Sequence, residues 1–334
     1  MKSIDAYWYS QNPVAWLLLP VSAIYCLLVF LRRALYKTGL LKSYKLPVPV
    51  IIVGNITVGG TGKTPLLIAL TTLLQQQGYR PGIVSRGYGG TVTGERLVKE
   101  SDDAHMIGDE PCLILKRTGC PLVVGRDRVA AAQLLLAKSD CNVILSDDGL
   151  QHYRMQRDVE IAIVDKSRQY GNGYCLPAGP LRETVSRLKQ VDMVVNHCSD
   201  AESCHAENHS LHFSLRFLDA INLKTGERRS IESFNVQPVH AVAGIGHPER
   251  FFKQLQKNEL EIISHTFADH HKFTAADFVF ADDTPVLMTE KDAVKCHGLP
   301  AENLWYVPVD AAFSEDLQQQ FLSSVDVLIP KQPA

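Results

Sequence analysis

A chain of 334 residues, 46% apolar and 21% charged, has room for two domains and the composition of an ordinary globular protein. Its net charge of -2 argues against nucleic acid as a partner, because domains that bind nucleic acid tend to be basic. The eight cysteines are scattered with no CxxC pair, the pattern of free thiols in a reducing compartment.

The amino-terminal region differs from the rest. From Val14 to Leu31 no residue is charged, and these 18 residues as helix would span roughly 27 Å, close to the hydrocarbon thickness of a bilayer. Lys2 and Asp5 precede the stretch, whereas Arg32, Arg33, Lys37, Lys42 and Lys45 follow it, which puts the downstream side in the cytoplasm. Without a charged start or a small-residue cleavage site it does not read as a removable signal. Pro20, the marginal length and the aromatics Tyr7, Trp8, Trp16 and Tyr25 suit a helix lying in the interface as well as one that spans.

After Lys45 the pattern changes to β-α alternation. A β-branched run at 48–56 reads as a buried strand, followed by a Gly-rich turn and a helix from Lys63 to about Gln77. Strands follow at 81–85, 121–124, 142–146 and 159–165, with helices at 108–116 and 126–138 between them. Such alternation predicts an α/β fold with a parallel sheet covered on both faces. From 197 to 237 the pattern weakens into polar loops with the short strand LHFSL, and His197, Cys198, Cys204, His205 and His209 there lack a recognised zinc spacing. The alternation resumes with VHAVAGIG (239–246), a helix from Pro248, EIISHTF, a helix near Thr274 and PVLMTEKD. The expected division is a membrane helix and basic linker at 1–45, a first lobe at 46–205 and a smaller α/β lobe at 206–334. A continuation of one large sheet would produce the same pattern.

The strongest chemical signal is GNITVGGTGKT (54–64), set between a buried strand and a helix. Loop amides and the helix amino terminus can surround phosphates there, which assigns Thr57, Val58, Gly59, Gly60, Thr61, Gly62, Lys63 and Thr64 to ATP. Lys63 would reach the β- and γ-phosphates and Thr64 would ligate Mg²⁺. The first Gly of the usual GxxxxGK[ST] pattern is Thr57 here, and Gly59 and Gly60 supply the close backbone approach instead. The second signal is VILSDDGLQH (143–152), a hydrophobic strand ending in the paired acids Asp147 and Asp148, suited to holding Mg²⁺. Phosphoryl transfer also needs a group to take the acceptor's proton. Asp109 in IGDEP, Asp148 and His270 in FADHHKF are the candidates.

Taken in order, KLPVPVIIVGNITVGGTGKTP, SRGYGG, GDEP, DDGLQHY, LPAGPLRE and TEKDAVK, with the apolar helix before them, resemble the tetraacyldisaccharide 4'-kinases, the lipid A 4'-kinases of Gram-negative bacteria. The pieces run from about residue 5 to 295; Leu150 stands where the family more often has Phe. The resemblance implies a P-loop NTPase-like sheet with a smaller carboxyl-terminal lobe. It also implies that ATP phosphorylates the 4'-hydroxyl of a tetraacylated glucosamine disaccharide 1-phosphate at the cytoplasmic face of the inner membrane, with no obligate protein partner. By motif, Asp109 would be the base and His270 its partner, with Thr64 and Asp147 serving Mg²⁺ and Asp148 and Glu183 close by. Ser85, Arg86 and the loop after them, Gly87 included, would face the lipid headgroup or phosphates. A four-chain lipid leaves the bilayer at about 0.8 kcal/mol per CH₂, so the enzyme must come to it. The rivals are a membrane-anchored P-loop GTPase and a nucleotide-regulated scaffold. MTEKD (288–292) lacks the NKxD spacing that guanine reading needs, and a scaffold would need no base.

Overall fold

The computed structural model describes residues 7–10, 12–199, 211–296, 298–299 and 302–329. The apolar stretch is one helix, α1 (Pro13–Lys37), started by Asn12, whose side chain accepts from Ala15 N, and by Pro13 in the first turn. The alternating region gives β1 (Val50–Gly54), α2 (Lys63–Gln76), β2 (Pro81–Ser85), β3 (Arg96–Leu97), α3 (Ala104–Ile107), α4 (Asp109–Thr118), β4 (Leu122–Val124), α5 (Arg128–Lys138), β5 (Val143–Asp147), β6 (Val159–Asp165) and β7 (Met193–Cys198). Then come β8 (His212–Phe217), β9 (Ala220–Asn222), β10 (Arg228–Arg229), β11 (Val239–Ala243), α6 (Pro248–Lys257), β12 (Ile262–Thr266), β13 (Val286–Thr289), α7 (Glu290–Ala293), β14 (Leu304–Val307), β15 (Val309–Phe313) and α8 (Glu315–Leu328). The segment near Thr274 is a short 3₁₀ turn, Ala275–Phe278, closed by a Thr274–Asp277 capping box.

Two sheets form. The first has nine strands in the order β15-β8-β7-β6-β1-β5-β2-β4-β3, parallel from β8 to β4. Its central strands are buried end to end, as continuous β-branched runs require when both faces are covered. On one face Leu66, Leu70, Leu74, Ile114 and Phe321 form the core; on the other, Ile52, Leu135, Leu150 and Met155 do. The second sheet is separate, with six strands in the order β10-β9-β14-β13-β11-β12. The chain leaves the first sheet through β8 and returns through β15, which pairs antiparallel with it, so part of the 206–334 segment belongs to the first sheet. His197 and Cys198, expected in a loop, end the buried strand β7; Cys204, His205 and His209 lie outside the described residues. Among the described residues Cys26, Cys112, Cys120, Cys141, Cys175 and Cys296 are free thiols, but Cys198 is disulfide-bonded, a departure from the expectation of free thiols throughout.

Helix α1 is long and apolar enough to cross a membrane, yet one face is docked along the protein. Ser22 donates to Cys175 O at 2.7 Å, Tyr25 donates to Arg182 O at 3.1 Å, and Arg33 bonds Gln190. Tyr25 and Cys26 pack on the second core. The opposite face exposes Trp16, Leu17, Val21, Ile24, Leu27, Leu28, Phe30 and Leu31.

Since β1 lies between β5 and β6, its carboxyl end opens at the point where chain direction across the sheet reverses, the usual ligand crevice of such sheets. Gly54, the last residue of β1, touches the loop after β5: a Cβ there would sit 2.8 Å from Leu150 Cγ. Gly54→Ala is therefore expected to overpack this junction and lower stability by about 1–3 kcal/mol, read as a reduced midpoint in chemical denaturation.

Candidate active site

The phosphate loop leaves β1 and ends at Gly62, the residue before α2. Gly62 has φ 88°, and a Cβ would come within 2.9 Å of His197 Nδ1 and 3.1 Å of the Phe213 ring, so backbone and space both demand glycine. His197 lies flat on Phe213 with centroids 4.7 Å apart and its Nδ1 is 3.0 Å from Thr61 O. Burial and the neighbouring Arg250 push its pKa down to about 4, so the neutral ring donates to that carbonyl. Inside the loop, Asn55 Nδ2 donates to Thr57 Oγ1 at 3.3 Å and Thr61 Oγ1 at 3.1 Å, and its Oδ1 accepts from Lys63 Nζ at 3.3 Å. Val58 N donates to Pro180 O at 2.8 Å, and Gly59 (φ 107°) and Gly60 turn the chain past it. Thr64 is buried in the first turn of α2.

The paired acids end β5 and behave differently. Asp147 is buried; one oxygen accepts from Ser85 Oγ at 3.0 Å, while Oδ1 has no hydrogen-bond partner. Burial, reinforced by the charges of Glu110 and Asp148, raises its pKa to about 7. Asp148 sits at φ 49°, with Arg182 Nη1 donating to both oxygens at 3.0 and 2.8 Å and Lys63 Nζ at 3.8 Å. Burial opposes its charge, but Lys63 and Arg182 outweigh that and hold its carboxyl far below the usual range.

An orphaned buried carboxylate oxygen and a buried threonine hydroxyl at the loop suit a hard divalent cation, which takes oxygen ligands. Among the described residues no cluster of three or more His, Cys, Asp or Glu could hold a metal alone, so phosphate oxygens and water would have to complete the shell. Glu183, expected near Mg²⁺, is linked to the loop through Gln151, which also donates to Asn55 O at 3.2 Å. Gln151 Nε2 donates to Glu183 at 3.0 Å, Tyr153 OH bonds its other oxygen, and Arg187 Nε is 3.8 Å away.

Asp109 opens α4 and is buried, with the SRGYGG loop packed on the turn before it. A Cβ on Gly108 would lie 2.6 Å from Tyr88 O, and one on Gly90 2.6 Å from Met106 O. His270 comes from the loop after β12, in the left-handed region at φ 61°, and its Nδ1 lies 2.9 and 3.1 Å from the two Asp109 oxygens. Tyr88 leans on the His270 ring at 5.2 Å. The hydrogen bond to Asp109 raises the His270 pKa. For Asp109, burial works upward, but His270 and Lys291 outweigh it and the pKa falls below the ordinary value. Lys291 Nζ stands 3.9 Å from Asp109 Oδ2 and 3.0 Å from Glu110 Oε1.

Ser85 is buried and donates to Asp147, whereas Arg86 beside it is exposed and Gly87 turns the chain at φ 69°. Both Glu183 oxygens have hydrogen-bond partners, whereas Asp147 Oδ1 has none. Sequence reading missed Asn55, Arg182 and Lys291, although each lies within a motif it had singled out, because spacing carries no hint of their partners. MTEKD is no base reader: β13 is in the second sheet, and Asp292 accepts from Thr289 Oγ1 at 2.7 Å and Gly244 N at 3.0 Å.

Comparison with known proteins gives one consistent answer. A family model described as tetraacyldisaccharide-1-P 4'-kinase matches residues 14–326. A tetraacyldisaccharide 4'-kinase of Nitrosococcus oceani is 51% identical over 318 residues, covering 95% of this chain and 92% of that one. One from Colwellia psychrerythraea is 45% identical, covering 98% of each. A crystal structure of LpxK from Aquifex aeolicus in complex with ATP superposes with TM-score 0.79 at 30% identity, covering 93% of this chain and 99% of that one.

The Asp147 pKa has a stability consequence. Between the unfolded value near 4 and about 7 the folded state binds the extra proton, so this group's contribution to stability falls as pH rises through that window. Asp147→Asn should stabilise the ligand-free protein at pH 8 by about 1–3 kcal/mol and by much less at pH 5, measured by denaturant titration at both pH values.

Proposed function

Since the chain belongs to the tetraacyldisaccharide-1-phosphate 4'-kinase family, we propose that it transfers the γ-phosphoryl group of ATP to the 4'-hydroxyl of a tetraacylated glucosamine disaccharide 1-phosphate, with Asp109 as the base. The observation that carries the assignment of the base is the Asp109–His270 pair, formed between the two lobes with a hydrogen bond of 2.9 Å. A free carboxylate is a weak base for a sugar hydroxyl, so it takes the proton late, as charge develops on the attacking oxygen. His270 orients Asp109 and shares that proton. Lys63 and Arg182, both anchored on Asp148, present positive charge to the transferring group, the main source of rate in such reactions. Asn55 holds the Lys63 ammonium in the loop.

Thr64 and Asp147 are the proposed Mg²⁺ holders, Asp147 Oδ1 being buried and without a partner. When bound, the cation neutralises phosphate charge and keeps Asp147 ionised. Glu183 is assigned a backing role, fixing Tyr153 and Gln151 next to Arg182. Arg86 and Gly87, on the exposed loop beside Asp109, are the proposed headgroup contacts. The GTPase reading loses its base reader, because Asp292 of TEKD is engaged by its own lobe.

For location, the docked face of α1 favours a helix lying in the interface at the cytoplasmic surface over one that spans. Its contacts run from Ser22 to Arg33, so crossing the bilayer would carry the protein body into hydrocarbon. The exposed apolar face can enter the acyl boundary.

Incubation with labelled ATP and disaccharide 1-phosphate lipid in detergent micelles should place label in the lipid, and Lys63→Ala should abolish it. Asp109→Ala should lower kcat by roughly 10²- to 10⁴-fold, His270→Ala by less, and the double variant little more than Asp109→Ala, with ATP affinity unchanged in all three. Fully multiplicative losses would show that the two residues act independently, and a normal kcat in Asp109→Ala would transfer the role of base to Asp148. Replacing Leu17 and Leu28 by Glu should weaken binding to anionic vesicles by at least about tenfold and leave ATP affinity intact, as measured by sedimentation and calorimetry. Undiminished vesicle binding would remove α1 as the anchor.

A further inference from the structure

The base assigned above is built from both lobes, and one cation joins them. Lys291 is the second residue of the short helix α7 after β13 of the second sheet, with its side chain only 20% exposed. Its ammonium has three carboxylates within reach: Glu110 Oε1 at 3.0 Å, Asp269 Oδ1 at 3.7 Å and Asp109 Oδ2 at 3.9 Å. Asp109 and Glu110 belong to α4 on the first sheet. Asp269 immediately precedes His270 in the loop of the second lobe, and its other oxygen lies 3.7 Å from His270 Nε2.

We propose that Lys291 is a positioning residue for phosphoryl transfer, an ammonium that fixes Asp109 and the His270 loop in one frame so that the base is complete only when the two lobes are docked. This rests on the reading of Asp109 as base. Three features of the surroundings support it. Lys291 bonds Glu110 and so leaves the Asp109 oxygens to His270, giving Asp109 an attractive field without occupying it. Lys295, just past the end of α7, is ion-paired with Asp292 at 2.7 Å, which leaves Lys291 as the ammonium nearest the pair. His270 sits in the left-handed region, a conformation that a non-glycine residue holds only when its neighbours fix it. Burial opposes the charge of Lys291, but Glu110, Asp109 and Asp269 outweigh it and raise its pKa, so it stays charged throughout the working range.

A sign follows for pH dependence. The groups facing the pair are Glu110 from α4, Asp269 from the His270 loop, Lys291 from α7, Lys295 just after it, and the Tyr88 ring from the SRGYGG loop. Whichever of Asp109 and His270 carries the proton, a nearby ammonium disfavours the protonated pair. Its removal must raise the apparent pKa of the pair and move the acid limb of kcat to higher pH.

The test compares Lys291→Met, Lys291→Arg and Asp109→Asn in the labelled-lipid assay across pH, with ATP dissociation constants measured separately. Lys291→Met should lower kcat by about tenfold or more, shift the acid limb upward by about one pH unit and leave the ATP dissociation constant within about twofold. Lys291→Arg should return the limb to its wild-type position. Loss of kcat with an unmoved limb would reduce Lys291 to scaffolding and overturn the proposal. So would a wild-type profile in Lys291→Met alongside an inactive Asp109→Asn. An active Asp109→Asn would instead overturn the reading of the base itself. Should Lys291→Met unfold, Lys291→Gln is read by NMR titration of the His270 ring in the nucleotide-free protein. There a raised midpoint supports the proposal and an unmoved one overturns it.

Discussion

A carboxylate buried at the end of a central strand and a second, half-buried one just after it cannot easily both carry charge unless cations answer them, and much of the candidate site is organised around that constraint. Asp148 has its cations in Lys63 and Arg182 and stays ionised. Asp147 has a serine hydroxyl on one oxygen and no hydrogen-bond partner on the other, so its charge is held less favourably than that of Asp148. The same constraint explains Asn55. An ammonium held 3.8 Å from Asp148 could swing onto it fully, and the 3.3 Å bond to Asn55 keeps it in the loop. Parallel pairing of β1 with β5 is what brings the loop and the acids side by side.

The two lobes divide the chemistry. The first sheet carries the phosphate loop, the acid pair and Asp109; the second delivers His270 and Lys291 to Asp109 from loops at the ends of β12 and β13. Phosphate and acceptor handling therefore meet at Glu110, whose carboxylate bonds Lys291 and also bears on Asp147. The amino-terminal helix adds a third link, because Tyr25 holds the carbonyl of Arg182. The helix with the exposed apolar face is thus one hydrogen bond from the backbone of Arg182, a cation of the candidate active site.

Much of this was legible beforehand, for identifiable reasons. Strands at 81–85 and 159–165 were readable because a strand buried on both faces must be continuously apolar. The phosphate loop was readable because its chemistry is local: glycines for backbone approach, then Lys and Thr at the helix start. The burial of Ser85 against Asp147 was not legible, because a residue at a strand end can point either way and only the neighbouring strand β5 shows what it meets. The partners of Glu183 were not legible, because Gln151 and Tyr153 lie about thirty residues away.

The sequence by itself determined the alternation, the nucleotide loop, the acid pair and the apolar length of α1, since each depends on neighbours within a few positions. Tertiary structure decided which face of α1 is free, that the carboxyl-terminal segment contributes β8 and β15 to the first sheet, and which charges meet. Asp109 and His270 are 161 residues apart and Lys291 lies further along still, and the field each feels comes from strands and loops that share no local pattern. A pKa, a buried orphan oxygen or an ion pair between lobes is a property of distance in space, and sequence spacing constrains that distance only within one turn or one strand.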